Sequence, residues 1–167
     1  RGEPEQALDC YREDLEISRN LDNPVGSGHP EHHMGEALLA LGQHDEAMKH
    51  LRRGLELFSA VNDRVNQAHA HLAMARAWAQ RAARRRRRVL LQDRDALHHL
   101  WHARNLIEPL NRPELTSHCD VTEALVLAAR RDIEPAMARY RAGLAVLERQ
   151  GDIASATPPP FALGRQP

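Results

Sequence analysis

Four alanines at regular spacing constrain this chain more than any other feature. Ala7, Ala47, Ala96 and Ala136 stand 40, 49 and 40 residues apart, and each lies in a stretch that can be laid on the others. The segment "HDEAMKHLRRGLELF" (44–58) aligns with "DRDALHHLWHARNLI" (93–107), setting Leu51 on Leu100 and Gly54 on Ala103. It aligns equally with "IEPAMARYRAGLAVL" (133–147), with Tyr140, Gly143 and Leu144 on Leu51, Gly54 and Leu55. The opening "PEQALDCYREDLEI" (4–17) joins the frame through Ala7, Tyr11 and Leu15. The stretch before each alanine repeats too: at a shift of 40, Met34 falls on Met74, Gly35 on Ala75 and Leu38 on Trp78. Units of this size cannot bury an apolar face alone, so they must stack on one another.

The units are helical. Hydrophobic residues are 42% of the chain and aromatics only 4%, leaving Leu, Ala, Val and Met to build the core. Ala and Leu are strong helix formers. Apolar periodicity and breaker residues predict helices at roughly 4–20, 31–41, 45–60, 65–81, 93–108, 114–129 and 134–149. Pro109 and Pro113 mark one break, "DNPVGSGHP" (22–30) another, and "SAVNDRVNQ" (59–67) reads as an extended turn. The glycines then pose a question. A mid-helix glycine costs about 1 kcal/mol against alanine, yet Gly35, Gly54 and Gly143 sit inside predicted helices. Close helix crossings explain them, because a larger side chain would hold the backbones apart.

The pattern resembles the tetratricopeptide repeat, a helix pair with a large–small contact in the first helix and an alanine, a large apolar residue and a second small residue in the second. Three units in register carry the resemblance: Met34, Gly35, Leu38, Gly42, Ala47, Leu51, Gly54 and Leu55; Met74, Ala75, Trp78, Ala96, Leu100 and Ala103; Ala124, Leu127, Ala136, Tyr140, Gly143 and Leu144. The period is longer than the family's usual one, His44 replaces an aromatic, and the turn glycine is absent from the last two units. The resemblance implies an all-α, right-handed superhelix. Its parts are a lone second helix (1–22), repeats at 28–61, 68–110 and 114–150, and a disordered, proline-rich tail (151–167). The third repeat carries a nine-residue insertion holding "RRRRR" (84–88), read as a solvated segment. An unpaired helix at one end and an irregular tail at the other suggest a piece of a longer protein, whose uncapped ends could self-associate.

In this family the first helices line a concave groove. The matching positions are His29, His32, Glu36, His69, Leu72, Arg76, His118, Val121 and Leu125. His29, His69 and His118 each lie six residues before the small position of their helix, suggesting a ladder of histidines. Ordinary imidazoles charge as pH falls below neutrality, so such a ladder would hold an acidic peptide more tightly near pH 6. The repeat cadence and arginine bias also resemble the sensor arrays of large bacterial transcriptional regulators; a free-standing scaffold or adaptor is the alternative.

Other chemistries find less in the sequence. Formal net charge is zero, which disfavours a general pull on nucleic acid or anionic membrane. His98 and His102 share a helix face, but zinc needs further ligands, and His29, His32 and His33 show no evident carboxylate or thiol partner, so no metal or other cofactor is expected. Cys10 and Cys119 read as reduced, partly buried thiols of a cytoplasmic protein. Neither a GxSxG nor a phosphate-cradling glycine loop is present, and the reading is non-enzymatic.

Overall fold

The computed structural model describes residues 2–21, 23, 26–84 and 90–150. Among these the chain is all-helical: α1 (Gly2–Asn20), α2 (Gly28–Ala40), α3 (His44–Ala60), α4 (Arg64–Arg84), α5 (Leu90–Ile107), a short 3-10 turn (Glu108–Leu110), α6 (Pro113–Ala129) and α7 (Ile133–Gln150). Arg85–Arg88 and the tail 151–167 lie outside the described residues.

One joint recurs three times. Gly42, Asn62 and Arg131 take left-handed backbone angles, with φ of 76°, 56° and 67°. At each, the amide of the left-handed residue donates back three residues (to Leu39, Ser59 and Ala128 O), and the next amide donates back five (to Leu38, Phe58 and Leu127 O). This double closure satisfies the last carbonyls of a helix. The residue that follows starts the next helix: the carbonyls of Gln43, Asp63 and Asp132 accept from the amides of Ala47, Gln67 and Ala136. The expected long turn at 59–67 is therefore wrong, because the α3–α4 joint is only Val61–Asp63. Asparagine tolerates the left-handed angle, and Asp63 caps α4 by accepting from the Asn66 amide at 3.1 Å. Arg131 makes the joint in the last pair, where the turn glycine is absent. Helix α2 also starts earlier than expected, at Gly28. Pro30 falls in its first turn, where a missing N–H costs nothing.

The small residues lie where helices touch. A Cβ on Gly35 would stand 2.6 Å from Leu51 Cγ, and one on Gly54 would stand 3.2 Å from the backbone nitrogen of His32. In the last pair a Cβ on Gly143 would meet Ser117 O and Val121 Cγ2, each at 2.9 Å. Ala47, Ala75, Ala96, Ala103, Ala124 and Ala136 are fully buried or nearly so, as are Leu38 and Leu51, while Trp78 and Tyr140 pack against core clusters from their edges. Each helix packs on its sequence neighbours, and α4 also touches both α2 and α6.

The core is divided. One cluster joins α1 to α4 through Leu8, Leu15, Met34, Leu38, Leu51 and Met74. A second joins α4, α5 and α6 through Leu72, Ala75, Leu100, Ile107, Leu115 and Cys119. Smaller groups around Val126 and around Leu147 complete it. Cys119 is buried, as expected, and burial raises its thiol to about 11. Cys10, contrary to expectation, is exposed, because it lies on the face of α1 opposite Leu8 and Leu15.

Candidate functional site

A helix turn brings residues three and four apart onto one face. On α2 this places His32, His33 and Glu36 together. The Glu36 Oε2 atom is 3.6 Å from His32 Nε2 and 3.7 Å from His33 Nδ1, while its Oε1 accepts a hydrogen bond from Arg76 Nη2 of α4 at 2.5 Å. Tyr11 of α1 stacks on His33 with ring centres 5.4 Å apart. On α4, His69 reaches His118 of α6 with ring centres at 6.0 Å. Contacts between α2, α4 and α6 thus make a polar strip from His33 through Glu36 and Arg76 to His69 and His118.

The electrostatics of this strip differ from those expected. Burial pushes the His32 imidazole down to about 4. Burial also lowers His69, helped by His118 beside it. Of the three ladder positions, His69 is shifted against charging, since burial and the neighbouring His118 ring both disfavour its protonated form. His33 departs in the other direction, raised by the Glu36 carboxylate. Burial works to raise Glu36, but His33, Arg76 and His32 together outweigh it and hold the carboxyl at about 2.

The remaining expected positions divide. His29 is exposed, and its ring lies against Phe58, with centres 5.3 Å apart, and against His33. Leu72 and Val121 are buried in the core, so neither lines a surface. They fall on the α4 and α6 faces that meet α5 and α7. Leu125 is partly buried against the group around Val126.

Two features went unread in the sequence. The first is a knot of histidines between α4 and α5. His71 Nδ1 lies 3.0 Å from His99 Nδ1, a hydrogen bond in which one ring donates and the other accepts. His71 stacks on His102 at 4.9 Å, and His102 meets His98 at 4.4 Å. Burial, then the neighbouring rings, push His71 and His99 each to about 4. Only the i,i+4 spacing of His98 and His102 was visible beforehand, since His71 arrives from another helix. The second is a cleft of about 700 Å³ bounded by α5, the 3-10 turn, α6 and Val146 of α7. Trp101, 62% exposed, stands at this cleft beside Arg104 and Asp120. Arg104 donates to Asp120 at 2.8 Å and to Glu123 at 2.5 Å, and Arg139 of α7 lies 3.3 Å from Glu123. This ion network ties α5, α6 and α7 together. The cleft is within the size range of ligand pockets, and two of its charged lining residues, Arg104 and Asp120, are already paired with each other.

None of the described helices is long and apolar enough to cross a membrane. No protein-family model matches the chain, and no match was found among curated proteins.

Proposed function

We propose that this chain is a helical-repeat interaction module, a superhelix of tetratricopeptide-like pairs, that binds a protein or peptide across the strip formed by α2, α4 and α6. The carrying observation is the pair of side-chain contacts that cross between first helices, Glu36–Arg76 and His69–His118. The joints at Gly42 and Arg131, each five residues before the alanine of its unit, and the crossings at Gly54 and Gly143 support the repeat reading, since they reproduce one local geometry at equivalent places. The strip's chemistry favours a ligand of mixed polarity. Imidazole nitrogens can donate and accept hydrogen bonds, and the Glu36–Arg76 pair compensates its own charge. In this reading the module is non-catalytic and serves a larger bacterial transcriptional regulator as its sensor or interaction arm, or stands alone as a scaffold. The gene on either side separates those two settings: a phosphate-binding loop and a helix-turn-helix upstream favour the regulator.

The test is a selection of random peptides on the purified chain. Enriched peptides should lose at least about tenfold in affinity when Arg76 and His118 are both changed to Ala, a loss of 1.4 kcal/mol or more. They should keep their affinity in Arg139→Ala, which lies on α7. Failure to enrich any peptide, or enrichment insensitive to the strip, overturns the reading.

A further inference from the structure

His32 is a buried imidazole with an unmet requirement. Its side chain is 8% exposed, its Nδ1 has no hydrogen-bond partner, and its Nε2 stands 3.6 Å from the Glu36 carboxylate. A buried ring nitrogen without a partner forfeits about 1–3 kcal/mol of hydration; Nδ1 is not the atom that faces Glu36, so it needs a partner of its own, such as an ordered water. The observation that points to an ion is convergence on the other ring nitrogen, Nε2. His32, His33 and Glu36 each present a ligand atom within 4.8 Å of the others. The separations from Oε2 to the two ring nitrogens, 3.6 and 3.7 Å, exceed ordinary hydrogen-bond lengths of about 2.7–3.2 Å. Two ligands each about 2.0–2.2 Å from one ion stand that far apart when the angle between them is wide.

We propose that His32 Nε2, His33 Nδ1 and Glu36 Oε2 form a binding site for a divalent transition-metal ion of the zinc or cobalt class. Two imidazoles and one carboxylate suit these borderline ions better than calcium or magnesium, which take oxygen ligands. Arg76 holds the other oxygen of Glu36 and so aims Oε2, the outer-layer role that orients ligands in metal sites. The positive guanidinium also limits affinity by repelling the ion. His33 and Glu36 are 44% and 39% exposed, so an ion can enter from solvent, leaving at least one position for water or a partner's side chain. The site lies within the strip proposed to bind peptide, but metal binding is read directly and fails or succeeds apart from that reading.

The experiment is titration of the whole chain with cobalt(II), read by visible absorption, and with zinc(II), read by calorimetry. The expected result is one dominant site whose affinity falls at least about tenfold in His33→Gln and in Glu36→Gln. His99→Gln, which disrupts the histidines between α4 and α5, should leave that site intact. His33 is partly exposed, so its variant keeps the fold, which far-ultraviolet circular dichroism verifies. Absence of saturable binding overturns the proposal. So does binding that survives both α2 substitutions and disappears in His99→Gln, which moves the ion to the other histidines.

Discussion

Single atoms decide the behaviour of the helix crossings. Alanine favours a helix over glycine by about 1 kcal/mol, so Gly143→Ala would stabilise an isolated α7. In the folded chain the added methyl meets Ser117 O and Val121 Cγ2 at 2.9 Å, and the first of these is backbone that cannot swing aside. We expect Gly143→Ala to lower the urea midpoint despite the helical gain. Gly54→Leu should cost about 1–3 kcal/mol by overpacking, since even a Cβ there touches the α2 backbone at 3.2 Å. An unchanged midpoint in either variant removes close packing as the reason for these glycines. The small positions were legible in the sequence because the repeat lays Gly54, Ala103 and Gly143 on one another. The site was less so. His32, His33 and Glu36 all fall inside the expected helix at 31–41, so their shared face is present in the sequence, whereas Arg76, which holds Glu36, comes from another helix. Burial of His32 and His69, which lowers both imidazoles, depends on neighbouring helices and has no local signature.

At the scale of elements, the left-handed joint is the unit of design. A residue with a Cβ pays about 1–2 kcal/mol in that conformation. Gly42→Ala should therefore destabilise the chain by about that amount, and Arg131→Gly should stabilise it by up to about 1 kcal/mol once the greater freedom of glycine in the unfolded chain is included. Thermal melts of the two variants should shift in opposite directions. Helix positions were readable to within a few residues because breakers and apolar period coincide. The joint at Val61–Asp63 is shorter than its Asn and Asp content suggests, because the two residues have separate tasks, a left-handed turn and a helix cap.

For the whole molecule, the histidines between α4 and α5 couple stability to pH. His71 is faced by His98, His99 and His102, and His99 additionally feels Arg52 of α3; no carboxylate appears among these influences. His71 and His99 protonate near 4 when folded, against an ordinary 6.5. Between those values the unfolded chain binds more protons, so this stability is complete above about 6.5 and is lost as pH falls toward 4. Urea midpoints at pH 7.5 and 5 should show the decline, and His71→Gln/His99→Gln should reduce it; an equal decline in the double variant assigns acid lability to other groups. The divided core has a consequence in time. Its clusters are closed by helices adjacent or next-but-one in sequence, so little chain must be looped before contacts form. Such topologies refold in microseconds to milliseconds, and hydrogen exchange should reveal separate protection levels for the α1–α4 and α4–α6 clusters rather than one global opening.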